Sequence, residues 1–509
     1  MNHHHHLFRP HLPKSKGCLL FFLVATLSIA CFNISLLSSF SLQWQEDNFS
    51  LLPYDDINST EKGESNRNTK KPEKQPKTHL EMPALEAFTE CMLQIEEHFQ
   101  ANLPRFANAT QPFPFSVKIV KQNVYVLLSL SITGYKGNNW TDPSTRYACN
   151  GVDGGIALPA YKSVALTLIV KCPQTLSPRH DFKIKTFSIT KLGNEMDKVD
   201  YNVEKFAECE EKDTALFAPD RNESHPITTG VTATFSGGRE EALEWAAYHH
   251  LIGFDHVWMY VNEPWDAGKD IPSTNFVTFI PYNTKINYFR KRATIQLKNI
   301  APMEAFRISS QNDALWRAKR MGLEWMAFVD MDEMIVLGTS AQRNVPMSNL
   351  TAIRSSSSPL QTYLADFKAK RISKRQDGIL LRSVPVGKNN SNETKPELMI
   401  DYTWRQNLNL TMDCCRSRRK MIVDVNKVDM VNIHWIGKGG KNGKLFIPKT
   451  SDELHVNHYK GKDNGVFNMK YHWLGPPHII EDTRLRDQYR DRVVEIVASI
   501  RQGHQDNVG

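Results

Sequence analysis

One segment, EWMAFVDMDEMIVLG at residues 324–338, constrains the fold of this chain more than any other. Its apolar residues 325–329 are typical of a strand that is buried on both faces. Three acids follow almost directly, Asp330, Asp332 and Glu333. Carboxylates are costly to bury unless they are paired or bind a metal, and ligands of open α/β sheets bind at the carboxyl ends of the strands. The segment therefore predicts an α/β sheet with a ligand site at the end of this strand.

Alternating carboxylates in D-x-D spacing suit a hard divalent cation, Mn²⁺ or Mg²⁺, that is bound together with a phosphate-bearing substrate. We expect Asp332 to be a direct ligand, and Asp330 to bind directly or through water. Glu333 is as consistent with holding the strand end in place as with binding. Because D-x-D tripeptides are common in ordinary turns, a turn without a metal stays an alternative.

Residues 226–509 alternate between strand and helix patterns, which predicts a largely parallel sheet with helices on both faces. Apart from the segment above, the predicted elements are strands at 231–235, 257–261, 276–280, 379–386, 421–425 and 431–435, and helices at 239–252, 310–321 and 484–500. Residues 84–225 are instead rich in Val, Ile and Thr with alternating polarity, and predict a small, mostly-β accessory domain.

The N-terminal region predicts a membrane anchor. Residues 18–40 form an apolar run of about the length that crosses a bilayer, roughly 20 residues, behind a basic tail at 1–17. By the positive-inside rule the tail is cytosolic and the remainder lumenal. A cleaved signal peptide is the alternative. Residues 41–83 are polar and proline-dotted, which is typical of a flexible stem.

Further features favour the secretory pathway. Nine N-x-[ST] sequons follow the apolar run, and six of the eight cysteines lie beyond it, where disulfide bonds are expected. The sequons are at Asn48, Asn58, Asn108, Asn139, Asn222, Asn349, Asn389, Asn392 and Asn409.

The chain has a net charge of +8, and its basic residues form several local clusters. A lumenal location excludes nucleic acid as a partner and favours a polyanionic or nucleotide-sugar ligand.

The order of several blocks resembles a known family. EWAAYHHLIGFDHVWMYVNE is followed by QNDALWRAKR, WMAFVDMDEMIVL, KMIVDVNKVDMVNIHW and NHYK. Over residues 226–459 this order resembles glycosyltransferase family 92, formerly a domain of unknown function, with plant galactan synthase-type and animal galactosyltransferase members. The resemblance implies a GT-A (Rossmann-like) fold, a divalent metal, and inverting transfer of a sugar, often galactose, from a nucleotide donor. Plant members also carry a β-rich accessory domain.

The resemblance also implies a histidine that completes the metal shell from the C-terminal part of the chain. His434 in HWIGKGGK is the first choice and His458 in NHYK the second. Lys438 and Lys441 are candidates for the donor diphosphate, although solvated loop lysines are equally consistent with the pattern.

Other candidates contact the donor and acceptor. By the switch-point rule, Arg239, Glu240, Asn262 and Glu263 follow the first two strands of the domain and are candidates for the donor nucleotide. Arg239 and Glu240 are equally consistent with capping a helix. Four more candidates lie further along the chain: Gln311 and Asp313 are candidates for the donor sugar, and Asp413, with Asp401 as the alternative, for the general base that an inverting transfer requires.

The sequence thus predicts a single-pass type II Golgi membrane protein that transfers galactose from UDP-galactose to a glycan acceptor with Mn²⁺. The alternative is a lumenal glycan-binding protein with a degenerate catalytic domain. A metal-dependent hydrolase would need more carboxylate and histidine ligands near Asp330 than the sequence contains.

Overall fold

The computed structural model describes part of the chain, and all of that part lies within one compact unit, Lys77–Gly509. The described residues are 113–120, 123–129, 146–149, 152–158, 167–173, 186–191, 198–202, 228–235, 238–263, 274, 276–282, 301–338, 358–370, 375–388, 396–407, 419–438, 441–448, 453–461 and 479–508. None of the described helices is long and apolar enough to cross a membrane. The predicted tail, anchor and stem at residues 1–83 lie outside the described residues.

The first sheet has seven strands in the order β1-β2-β5-β4-β3-β6-β7, and every neighbouring pair is antiparallel. Its strands lie within the region predicted to be mostly β. They are β1 Phe113–Val120, β2 Asn123–Ser129, β3 Arg146–Cys149, β4 Val152–Leu158, β5 Thr167–Pro173, β6 Thr186–Lys191 and β7 Lys198–Asn202. Lys171 of β5 forms an ion pair of 2.8 Å with Asp429, which joins this sheet to the C-terminal part of the chain.

The remaining elements form a mixed α/β arrangement around a second sheet of eleven described strands. The helices are α1 Arg239–Ile252, α2 Ala301–Met321, α3 Pro359–Ala369 and α4 Arg484–Val508, with a 3₁₀ turn at Met399–Asp401. The strands are β8 Thr229–Phe235, β9 His256–Val261, β10 Val277–Pro281, β11 Trp325–Phe328, β12 Glu333–Leu337, β13 Gly378–Gly387, β14 Trp404–Gln406, β15 Lys420–Asp424, β16 Met430–Val431, β17 Ile436–Lys438, β18 Lys441–Asn442, β19 Leu445–Phe446, β20 Leu454–Gly461 and β21 Ile479–Glu481. Of these fourteen strands, β16, β17 and β18 form a separate three-stranded sheet.

The topology of the second sheet determines where a ligand can bind. Strands β10, β9, β8 and β11 are parallel neighbours in that order, and the sheet continues through antiparallel β15 and β13 to β14 and β21. The chain therefore places β9 and β10 on one side of β8 and then β11 on the other side, so the strand order reverses between β8 and β11. A crevice opens at the carboxyl ends of strands at such a switch point. The acids that follow β11 lie at this crevice.

Helices cover both faces of the parallel strands because successive side chains of a strand point to opposite faces. Met259 of β9 belongs to the hydrophobic core that also includes Trp245 of α1. Its neighbour Tyr260 donates a hydrogen bond of 2.7 Å to Asp313 of α2. Helices α1 and α2 thus lie on opposite sides of β9, which explains why all six residues of this strand are buried.

Glycine fixes the C-terminus of α1. Gly253 has φ +118°, and its N–H bonds the carbonyl groups of His249 and His250. A Cβ at this position would lie 1.7 Å from the Oγ of Ser358, the N-cap of α3. Ser358 and Gln361 form a reciprocal capping box. The end of one helix and the beginning of another are therefore packed at a distance that only glycine permits.

The described elements test the sequence predictions in detail. The predicted helix at 239–252 is confirmed with the same bounds. The predicted parallel sheet is confirmed for β10, β9, β8 and β11, and antiparallel β15 and β13 continue it. The strand predicted at 431–435 is wrong, because β16 ends at Val431 and a turn follows in which Asn432 N donates to Trp435 O at 2.8 Å. Strands β12 and β20, which pair antiparallel, were not expected. The mixed α/β arrangement is consistent with a GT-A-like glycosyltransferase.

Candidate active site

The acidic segment forms a short turn between β11 and β12. Glu333 N donates to Asp330 O at 3.1 Å, and Asp330 N donates to the Oε2 of Glu333 at 2.8 Å. The turn leaves the three acids in different environments: the Glu333 side chain is fully buried, whereas 20% of the Asp330 side chain and 38% of the Asp332 side chain are exposed. Asp332 is therefore the acid that is most accessible to a ligand.

Asp330 is held in an ion pair. The Nζ of Lys420, at the start of β15, lies 2.5 Å from its Oδ2 and 3.3 Å from the Oε2 of Glu333. Burial raises the pKa of Asp330, but Arg307, Lys420 and His458 outweigh burial and hold that pKa well below its usual range. Burial lowers the pKa of Lys420, yet Asp330 and Glu333 outweigh it and raise that pKa. Both partners are thus charged at neutral pH.

Asp332 faces a histidine. The Nε2 of His458 on β20 lies 3.1 Å from the Oδ2 of Asp332. The contact follows from the pairing of β12 with β20, in which Glu333 lies opposite His458. Desolvation raises the pKa of Asp332, but the adjacent His458 outweighs it and lowers the pKa to about 2. The carboxylate is therefore ionised and lies beside an imidazole nitrogen.

The other side of the His458 ring faces polar groups. Its Nδ1 lies 3.3 Å from the Oγ of Ser383 and 3.6 Å from the Oε1 of Glu333. Among the described residues this Oε1 has no hydrogen-bond partner. Burial raises the pKa of Glu333 to about 7, although Lys420 lowers it. Glu333 thus lies behind the imidazole, on the side away from Asp332.

His434, the first choice from the sequence, lies in the turn between β16 and β17 rather than in contact with Asp332. Its Nδ1 is 2.7 Å from the backbone oxygen of Arg419. Desolvation and then Lys420 lower its pKa to about 4, while Asp330 raises it. The structure therefore brings His458, the second choice, into direct contact with the D-x-D segment.

The two candidate lysines lie on the hairpin that follows His434. Lys438 of β17 pairs with Lys441 of β18. The Nζ of Lys438 binds the Oδ1 of Asp377 at 2.8 Å, while half of its side chain stays exposed. The ammonium group is thus held by an acid of the protein.

The candidates that follow β8 and β9 separate into two groups. Arg239 and Glu263 approach each other, with Nη2 and Oε1 3.7 Å apart. The Oδ1 of Asn262 is buried and has no hydrogen-bond partner among the described residues. Glu240 instead forms an ion pair with Arg501 on α4. The first three lie at the carboxyl ends of the strands, whereas Glu240 faces a helix.

The two candidates on α2 also differ. Gln311 is buried, and its Oε1 has no hydrogen-bond partner within the described part of the chain. It follows Arg307 by one helical turn, and therefore lies on the same side of α2 as the cation beside Asp330. Asp313 binds Arg317 at 2.7 Å and Tyr260 in the buried face between α2 and β9. This acid is satisfied by the fold itself.

Three residues of the site were not predicted from the sequence: Arg307, Lys420 and Ser383. The one available signal was the position of Lys420, a charged residue at the start of an apolar strand. Asp413, the candidate base, lies outside the described residues. Among the residues that the structure describes, no three histidine, cysteine or acidic side chains are grouped so that they could hold a metal ion by themselves.

The site lies within a region that matches a known protein family. The family model for glycosyltransferase family 92 matches residues 238–494, about half of the chain. The match includes α1, β11 with its acids, Lys420 and His458. A comparison with curated proteins gives no match. The chain belongs to glycosyltransferase family 92 and is, in general terms, a glycosyltransferase that uses a nucleotide sugar and a glycan acceptor.

Proposed function

We propose that this glycosyltransferase is metal-dependent and inverting, and that it transfers galactose from UDP-galactose to a glycan acceptor. We further propose that it is a single-pass type II membrane protein of the Golgi, anchored by residues 18–40. The family supports sugar transfer in general. The metal, the stereochemistry, the donor, the subfamily and the location are the parts that we propose beyond it.

The contact between Asp332 and His458 is the observation that carries the metal proposal. A carboxylate oxygen and an imidazole nitrogen 3.1 Å apart are donors that Mn²⁺ accepts. Metal-binding histidines generally direct their second ring nitrogen at a carboxylate or another polar group. The Nδ1 of His458 faces Ser383 and the Oε1 of Glu333 in this way, and within the described part of the chain that Oε1 has no hydrogen-bond partner. The donor set therefore fits a divalent cation held by Asp332 and His458.

The surrounding charges support a diphosphate at the same place. Mg²⁺ and Mn²⁺ usually bind through one or two carboxylates together with substrate phosphates and water. Lys420 and Arg307 offset the charge of Asp330, which reduces the repulsion that a diphosphate would meet. We assign Asp330 to this ion pair and Asp332 to the cation. When bound, the cation would stabilise the negative charge that develops on the departing nucleotide diphosphate.

Donor contacts are proposed for two buried polar atoms at the crevice. The Asn262 Oδ1 and the Gln311 Oε1 are buried acceptors without a partner among the described residues. Such groups are costly unless a ligand or water satisfies them. Asn262 follows β9 and is proposed to contact the nucleotide, and Gln311 the sugar. Asp413 stays the proposed base that removes the acceptor hydroxyl proton during inversion.

The test uses the purified full-length protein with UDP-galactose and a panel of glycan acceptors. We expect release of UDP with Mn²⁺ and its loss with a chelator. Asp332→Asn and His458→Gln should each lower the rate at least about 100-fold. Asp487→Asn, an exposed acid on α4, is the matched control and should retain full activity. Turnover that is indifferent to the chelator or to Asp332→Asn would contradict the metal proposal.

Further measurements separate the finer parts of the proposal. The anomeric configuration of the product, followed by NMR, distinguishes inversion from retention. Competing UDP-sugars test the preference for galactose, and imaging of the tagged full-length protein with a Golgi marker tests its location. Glycan binding without UDP binding in calorimetry, and without turnover, would support the alternative of a degenerate lumenal glycan-binding protein.

A further inference from the structure

One edge of β12 has no neighbouring strand among the described elements. One edge of this strand pairs with β20, whereas on the other edge the backbone groups of Glu333 and Ile335 face helix α1. In a strand, the N–H and C=O groups of every second residue point to the same edge. The backbone groups of Glu333 and Ile335 therefore form one row along the edge that faces α1. Buried backbone groups need partners, and helix side chains supply them here.

Three side chains of α1 occupy this row. The Nε1 of Trp245 donates to Glu333 O at 2.6 Å, and the hydroxyl of Tyr248 donates to Ile335 O at 2.7 Å. Ile335 N donates to the Nε2 of His249 at 3.4 Å. These residues have the i, i+3, i+4 spacing of a single helix face. The helix therefore takes the place of a neighbouring strand at this edge.

The His249 ring has a defined role in this arrangement. Its Nδ1 lies 2.8 Å from Trp245 O in the preceding turn of α1. Since Nε2 accepts from Ile335 N, the hydrogen of the neutral ring lies on Nδ1 and is donated to that carbonyl group. Burial lowers the pKa of His249 to about 3, so the ring stays neutral across the physiological range. The interface between α1 and β12 is thus held by uncharged hydrogen bonds.

We infer that Trp245 is a positioning residue for the metal site: its hydrogen bond to Glu333 O fixes the first residue of β12, and with it the turn that presents Asp332 to His458. The inference rests on the proposed metal role of these two residues. Glu333 is the residue through which the indole acts, because its backbone bonds Trp245 and its side chain lies behind the His458 ring. Groups that hydrogen-bond a metal ligand typically change metal affinity 10- to 100-fold, and the indole acts through one further residue, so we expect the lower end of that range.

The chain offers a matched control. Trp258 on β9 is as completely buried as Trp245, but its Nε1 has no hydrogen-bond partner among the described residues. Replacing either indole by phenylalanine removes similar volume from the core. Only Trp245→Phe removes a hydrogen bond to the turn. A difference between the two variants therefore reports on positioning and not on packing.

The experiment measures Mn²⁺ affinity of the full-length protein by electron paramagnetic resonance, with UDP present and acceptor absent, alongside thermal unfolding. We expect Trp245→Phe to raise the Kd for Mn²⁺ about tenfold and Trp258→Phe to leave it unchanged, while both lower Tm. Tyr248→Phe, which removes only the bond to Ile335 O, should raise the Kd less, and it carries the test if Trp245→Phe does not fold.

The outcomes are distinguishable. Wild-type Kd values in both Trp245→Phe and Tyr248→Phe would overturn the positioning role while leaving the proposed metal site intact. An equal rise in Trp258→Phe would also overturn it, since packing would then explain the effect. Absence of Mn²⁺ binding by the wild-type protein would overturn the metal site and this inference together.

Discussion

Lys420 reaches Asp330 across two neighbouring antiparallel strands, with its ammonium group 2.5 Å from the carboxylate and almost wholly buried. Breaking a buried pair by removing one partner leaves an uncompensated charge. We expect Lys420→Met to lower the free energy of unfolding by about 3–5 kcal/mol. Lys420→Met combined with Asp330→Asn should cost less than the sum of the single changes. Urea unfolding of the four proteins measures this coupling, and additive losses would contradict it.

Glu244 on α1 predicts a pH dependence of stability. Its buried carboxylate accepts 2.8 Å hydrogen bonds from the N–H groups of Met399 and Ile400. Burial, partly opposed by these bonds, raises its pKa from 4.5 to about 7. The folded state therefore binds the Glu244 proton more tightly than the unfolded state does. The resulting stabilisation of the fold is fully present below pH 4.5 and is lost as the pH rises through 7.

The shift corresponds to a loss of about 3 kcal/mol between those pH values. Glu244→Gln cannot titrate, so its free energy of unfolding should fall less steeply with pH than that of the wild type. Chemical denaturation at pH 5, 6, 7 and 8, in about one-unit steps, checks this. Other titrating groups contribute equally to both proteins, and parallel curves would show that Glu244 does not titrate in this range.

Gly253 and Gly322 provide a matched pair of left-handed glycines. Both have positive φ, +118° and +77°. A Cβ at Gly253 would collide with Ser358, whereas no described residue lies within 4 Å of a Cβ at Gly322. Gly322→Ala should therefore cost only the backbone strain, about 1 kcal/mol, and Gly253→Ala about 2–5 kcal/mol. Equal losses in urea unfolding would mean that the end of α1 and the beginning of α3 separate without cost.

Asp313 tests whether a predicted donor contact is structural. The acid is bound by Arg317 and Tyr260 inside the fold. We expect Asp313→Asn to lower the free energy of unfolding by about 2–4 kcal/mol, because Arg317 stays buried and charged, and to leave the KM for the nucleotide sugar unchanged. Asp366→Asn, on the exposed face of α3, is the control for both measurements. A raised KM with unchanged stability would restore Asp313 to the donor site.

The sequence predicted those features that depend on local patterns. The apolar run before Asp330 indicated β11, and the Gly237-Gly238 pair with the acids that follow it indicated the beginning of α1. The exposed Asp332 follows from the same local pattern. These features were accessible because burial on both faces of a strand and the ends of a helix leave short-range signals.

The rest of the site depends on long-range pairing. His458 lies on a strand of mixed polarity, LHVNHYKG, that becomes recognisable only once its partner β12 is known. Lys420 meets Asp330 because β15 pairs antiparallel with β11, which no local pattern specifies. His434 was preferred over His458 because an apolar run suggested a strand, whereas the chain turns there instead. Partner choice between distant strands is the information that a single sequence lacks.

The pairing of β12 with β20 also determines when, during synthesis of the chain, the site can form. Asp332 and His458 are separated by 126 residues along the chain. At about 5–20 residues per second, the ribosome needs roughly 6–25 s to add the histidine after the aspartate. During that interval β8, β9 and β11 are already synthesised, and the nascent protein holds its acids without their imidazole partner. A chain that stops before residue 454 has no β20 and cannot assemble this contact at all.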